Sequence, residues 1–205
     1  MTEGIALAVA LAAALGLVAV AAAAGVGLVI FLVRRNAGQA ADLRETLRAV
    51  AQRHGLAFEP GDALRSPSVT GVVGGQTVTL TYGTYRMGSG GRVYRYTQAV
   101  GAAPPGVEAL LAERGREQHV EAVGGVEVAI ADARLGATHA ARGWPAEAVA
   151  ALLTPAHVAR YRQCAVSHVR LGGGRVLVQR PGHHAAEGDV LALLRLTADL
   201  RRGAT

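Results

Sequence analysis

This chain contains no lysine: all 21 of its basic side chains are arginine. Set beside its abundance of alanine, glycine and valine, that absence points to a GC-rich bacterial coding sequence rather than to any particular chemistry. It has one cysteine, Cys164. No intramolecular disulfide can form, and nothing demands an oxidising compartment. Cys164 is expected in the core as a small hydrophobe, because no activating partners surround it in sequence. The motifs of common enzyme classes are missing too. There is no Walker loop, nucleophile elbow, Cys-x-x-Cys pair or His-Glu-x-x-His, which moves NTPases, serine hydrolases and zinc enzymes out of first consideration. No cofactor is expected.

What the chain does have is one long apolar run. Ile5 to Val33 is 29 residues without a charge, and at ~1.5 Å per residue it can cross a ~30 Å hydrocarbon core with tilt to spare. We expect a polar lead over residues 1–4 and a transmembrane anchor over 5–33. A cleaved signal peptide would want a basic start and a shorter apolar core, whereas the only early charged side chain is Glu3. The Ala21 to Ala24 run is the feature that suits cleavage. Arg34 and Arg35 follow the span and no basic side chain precedes it. The positive-inside rule therefore predicts a single-pass protein of the inner (plasma) membrane with its C-terminal domain in the cytoplasm. Small residues four apart, such as Ala12 with Gly16 and Ala21 with Gly25, would let the span pair with a second copy.

Residues 34–55 read as a basic juxtamembrane segment. Its helix is expected from about Ala40 to His54, with an apolar stripe of Leu43, Leu47, Val50 and Ala51 and a stop at Gly55. Arg34, Arg35, Arg44, Arg48 and Arg53 are candidate contacts to anionic lipid headgroups, each worth ~1 kcal/mol at the surface. For the last three, an ordinary solvated helix face offset by Asp42 and Glu45 competes with that reading. Past residue 35 there are 19 arginines against 14 carboxylates, a surplus that permits anionic partners without singling one out.

Residues 56–205 are long enough for one domain with a proper core. Gly74-Gly75 between β-prone runs signals a hairpin. Val78, Leu80 and Tyr82 then alternate with Thr77, Thr79 and Thr81, as in a half-buried antiparallel strand. A further strand is expected from Arg92 to about Val100. Pro104-Pro105-Gly106 should break it and open a short helix over Val107 to Glu113. Val126, Val128 and Ile130 alternate again, and a strand is expected around Gly136 to Arg142. Helices follow from Trp144 to Leu153 and from Pro155, the latter capped by Thr154. A hairpin of 165–171 with 175–180 and a helix over 189–202 complete the chain. The expected fold class is α+β: an anchor, then one domain of antiparallel hairpins covered by short helices and a C-terminal helix.

Candidate sites are few. Gly88, Ser89, Gly90 and Gly91 could cradle a ligand with backbone amides, but phosphate fingerprints need a helix directly after the loop, and a strand is expected there. Tyr94 and Tyr96, with Arg92 and Arg95, could stack on single-stranded bases; cross-strand packing explains them better. His183, His184 and Glu187 are the nearest approach to metal ligands, although an exposed polar turn accounts for them. His119, His139, His157 and His168 stand singly. Asp132, Glu121 or Glu127 could meet a histidine across the sheet for acid-base work, though nothing in their spacing marks them.

The reading that follows is a membrane-anchored, non-enzymatic binding or scaffolding module with an unidentified protein partner. The alternatives are a membrane-anchored enzyme of unrecognised type and a weak single-stranded nucleic-acid binder; nucleic acid is not favoured.

Overall fold

The structure, a computed structural model, describes residues 41–62, 65–87, 92–115 and 123–203. The expected anchor over 5–33 lies outside them, and among the described residues no helix is long and apolar enough to cross a membrane. The chain divides into Met1–Glu45 and Thr46–Thr205. Within the first unit residues 41–45 are described, and they are helical. The architecture below is that of the second.

Strand alternation builds its sheet. In β3 (Gln76–Met87) Val78 and Leu80 are fully buried and Tyr82 nearly so, while Thr79 and Thr81 on the other face are half-buried. Gly74 and Gly75, at φ +58° and +79°, close β2 (Ser68–Val73) onto β3 with Val73 opposite Gln76. Two consecutive positive φ angles suit glycine alone at low cost, so the turn sets the register. Gly173 and Gly174, at +58° and +72°, do the same between β8 (His168–Gly172) and β9 (Arg175–Pro181). Both hairpins are where the glycines predict them. β4 (Arg92–Ala102) pairs with β3 from Met87↔Arg92 to Val78↔Gly101, and β1 (Ala57–Glu59) pairs with β2.

Among the described residues nine strands form one sheet, and every pairing is antiparallel. The α+β class is as expected. The order is β1-β2-β3-β4-β9-β8-β5-β7-β6, where β5 is Glu108–Glu113, β6 is Val126–Val128 and β7 is His139–Trp144. The late hairpin β8–β9 thus sits between β4 and β5, joining the two halves of the sheet.

One face of the sheet carries helices. In α5 (Glu187–Gly203) Val190, Leu193, Leu194, Leu196 and Leu200 are essentially inaccessible, and the helix lies on β2, β3, β4 and β9. Thr197 of α5 stands over Gly101, beside Val78 and Val176, which identifies the covered face. Helices α3 (Ala146–Leu152) and α4 (Pro155–Gln163) flank α5. Leu47, Val50 and Ala51 of α1, helical over 41–53, are also buried. Removing this much apolar surface from water, at ~25 cal/mol per Å², supplies the main stabilising term.

Four local expectations are corrected. Residues 107–113 form strand β5 rather than a helix. Glu-Ala-Leu-Leu-Ala-Glu is rich in helix formers, but it lies between β7 and β8 with Ala109 to Ala112 all buried, and burial on both faces overrides propensity. The strand expected at 136–142 divides into α2 (Ala133–Thr138) and β7. Asp132 caps α2 by accepting the Leu135 N–H at 2.8 Å. The strand expected from Ala165 begins at His168, because Ala165 adopts φ +49° and the chain first closes the end of α4. The alternation expected to reach Ile130 stops at Val128.

Candidate functional site

The basic helix comes first. Arg48 lies over the Phe58 ring, 5.5 Å from its centroid. Arg53 pairs with Glu187, whose other oxygen is 2.6 Å from His54 Nε2. The hydrogen bond from His54, and then Arg53, hold the Glu187 carboxyl below the usual carboxylate range. Arg44 is described on α1, whereas Arg34 and Arg35 lie outside the described residues, as do Gly88 to Gly91. A strand, β4, follows that glycine loop.

His183, His184 and Glu187 do not converge. The His183 Nε2–H donates to Gly83 O at 3.2 Å, and its ring meets Tyr82 edge-on at 5.5 Å. Burial lowers the His183 pKa. His184 Nε2 donates to Pro181 O at 2.7 Å, leaving Nδ1 3.6 Å from an Asp189 oxygen. Among the described residues no three His, Cys, Asp or Glu side chains are grouped to hold a metal ion. What this turn does is fasten α5 to the sheet. Tyr82 donates to His184 O at 2.7 Å, Thr97 donates to Gly182 O at 2.8 Å and accepts from His184 N at 3.0 Å. Below it the largely buried Arg180 binds Asp189 at 2.9 Å. Asp189 and Glu187 occupy the first turn of α5, where the helix dipole favours carboxylates.

Tyr94 and Tyr96 share a face, as their spacing predicts, and Tyr85 joins them. The Tyr85 and Tyr94 rings stack across the β3–β4 pair at 5.3 Å and 14°, and Tyr96 lies 5.8 Å from Tyr85, over Gly83. Their faces are therefore used on one another, the cross-strand arrangement. Arg95 sits on the opposite face of β4, out of phase with the tyrosines.

Most of the remaining ionisable candidates have structural partners. His139 meets Val166 O at 3.2 Å and the Thr138 hydroxyl at 2.8 Å, and burial lowers its pKa. His157 donates to Ala151 O at 3.0 Å. Burial, aided by Arg170, lowers His168 to about 4. Asp132 pairs with Arg162, and Glu127 faces Arg142 across the β6–β7 ladder. His119 and Glu121 lie outside the described residues. Cys164 is buried, as expected, and burial pushes its thiol up.

One concavity was not anticipated. A cleft of about 450 Å³ opens between the β2–β3 turn, the end of α4 and the outer side of α5. Arg160, Gln163 and Cys164 reach it from α4 at positions i, i+3 and i+4. Ala192, Arg195, Leu196 and Asp199 reach it from α5 at i, i+3, i+4 and i+7, and Val73 and Gly74 close the side. Cys164 and Leu196 are buried there, and Arg160, Gln163 and Arg195 are exposed. Arg160 pairs with Asp199, whereas Arg195, exposed on the rim, has no ion pair among the described residues. The spacing was visible in sequence, but it is also that of any ordinary helix face.

The described residues thus define an α+β domain: a broad antiparallel sheet with helices on one face and a mixed apolar and cationic cleft beside the last helix. No protein-family model matches the chain, and no curated protein matches it. Among solved structures it is similar to the crystal structure of the mycobacterial trehalose monomycolate transport factor A. That similarity has 16% identity and a TM-score of 0.49, over 78% of this chain and 95% of that one. At that level it carries no argument about function.

Proposed function

We propose that this chain is a single-pass, membrane-anchored binding module, held by residues 5–33 with its α+β domain on the cytoplasmic side, and that it works without catalysis. The observation that carries the non-enzymatic half is the employment of its reactive side chains. His139, His157, His183 and His184 bond main-chain carbonyls, Glu187 is held by Arg53 and His54, and Cys164 is a buried thiol. A nucleophile and base set for chemistry would instead face each other across a pocket. The anchor half is supported by the uncharged run Ile5 to Val33 and by Arg34 and Arg35 after it. Tethering confines a binding surface to two dimensions and raises its effective concentration for partners at the membrane. With Arg48 and Arg53 engaged inside the domain, headgroup contact falls mainly to Arg34 and Arg35.

The test has two parts. Reporters active only in the cytoplasm or only outside, fused after Thr205, are expected to give a cytoplasmic signal. Deletion of residues 5–33 is expected to release the protein from sedimented membranes. An external signal, or sedimentation that survives the deletion, would overturn the anchored arrangement.

A further inference from the structure

We infer that the cleft between the β2–β3 turn, α4 and α5 binds the anionic head and adjoining hydrocarbon of a single-chain amphiphile, such as a fatty acid or an alkyl phosphate. The inference rests on reading the chain as a binding module and names the ligand of that module.

Three features select this chemistry. The first is the division of the lining: Val73, Cys164, Ala192 and Leu196 are apolar, with Cys164 and Leu196 buried, whereas Arg160, Gln163 and Arg195 are polar and exposed and Asp199 is half-buried. A wholly polar ligand would leave the apolar lining wet, and a wholly apolar one would strip water from the rim without replacing its hydrogen bonds. The second is charge. Asp199 pairs with Arg160, whereas Arg195 is exposed and has no ion pair among the described residues, and its planar guanidinium can take a carboxylate or phosphate in two parallel hydrogen bonds. The Gln163 amide on the same rim offers a further donor. The third is size. About 450 Å³ lies at the small end of the ~300–1,000 Å³ range of ligand sites, room for one head and a short length of chain and too little for a two-chain lipid.

Cys164, the only cysteine in the chain, lines the cleft; its side chain is almost fully buried, so it alkylates slowly, and a further slowing on ligand addition reports occupancy. The full chain, reconstituted in nanodiscs of zwitterionic lipid, is alkylated with iodoacetamide at pH 8.5 while octyl phosphate is titrated below its micelle concentration. Octyl phosphate is expected to slow labelling at least tenfold at saturation. Octyl glucoside, with the same chain and no charge, and inorganic phosphate, with no chain, are each expected to need at least ten times the concentration. Arg195→Gln should weaken protection at least tenfold. Asp199→Asn, which removes the competing carboxylate and frees Arg160, should strengthen it several-fold.

Equal protection by octyl glucoside would make the cleft a plain apolar groove, and equal protection by inorganic phosphate a plain anion site; either overturns the inference. So would octyl phosphate protection that is indifferent to both substitutions. Both variants are judged only after their circular dichroism matches the parent, and the two charge changes push affinity in opposite directions, which misfolding does not. Anchoring is read separately by sedimentation, so loss of octyl phosphate binding in a chain that still sediments removes this inference and leaves the module intact.

Discussion

Individual residues carry more than their local pattern suggests. Ala165 ends α4 in the left-handed region, at φ +49°, a conformation that closes the helix through Val166 N–H to Tyr161 O at 2.9 Å and Ala165 N–H to Arg162 O at 3.0 Å. This is the Schellman ending, in which glycine is the usual residue because a Cβ costs ~1–2 kcal/mol there. Ala165 is exposed. Ala165→Gly is therefore expected to stabilise the domain by about 0.5 kcal/mol, the steric relief less the extra entropy glycine loses on folding. Urea denaturation measures it directly; a destabilised variant would mean that the alanine methyl makes a favourable contact. Gly143 works the other way. At φ +156° it passes so close to Glu108 O and Ala109 Cα that no side chain fits, which is how β7 and β5 meet at that end.

Elements are placed by contacts far apart in sequence. The start of α5 is held by two ion pairs of different character. Arg180 is largely buried and reaches Asp189 at 2.9 Å, whereas Arg53 is mostly exposed where it meets Glu187. A buried guanidinium left without its carboxylate has no water to replace it, while an exposed pair exchanges readily with solvent. Asp189→Asn is accordingly expected to cost about 2 kcal/mol, discounted because the carboxylate itself is partly exposed. Arg53→Ala should cost much less than Asp189→Asn, because its pair is exposed. Similar losses in the two variants, read from thermal or urea unfolding, would refute that ranking.

For the molecule as a whole, the half-buried histidines tie stability to pH. Burial first, and the neighbouring Arg170 second, bring His168 down to about 4, and burial also lowers His139 and His183. In the unfolded chain a histidine titrates near ~6.5, so as pH falls through that value the unfolded state takes up protons that the folded state refuses. For His168 stability is fully present above pH ~6.5 and declines towards pH ~4, by up to ~1.4 kcal/mol per pH unit, and His139 and His183 act in the same direction. His168→Gln should flatten that decline, with the remainder left to His139 and His183. Denaturation curves at several pH values between 7.5 and 4.5 provide the check, and an unchanged slope would exclude His168 as a contributor.

What the sequence by itself determined is whatever depends on neighbours a few positions away. The two Gly-Gly turns, the Val78-Leu80-Tyr82 alternation, the Thr154-Pro155 start of α4 and the leucine face of α5 were all legible, because turn geometry, capping and face periodicity are local properties. The 29-residue uncharged run is legible for the same reason. Tertiary structure decided the rest. A strand offers the same backbone hydrogen bonds to any partner, so nothing in residues 168–181 announces that their hairpin will sit between β4 and β5. Nor does Glu-Ala-Leu-Leu-Ala-Glu reveal that two flanking strands will override its helical preference. The cleft is the same case: its α4 and α5 residues read separately as ordinary helix faces. Only the packing of those helices beside the β2–β3 turn, about 90 to 125 positions away in the chain, brings Arg195 and the apolar lining together.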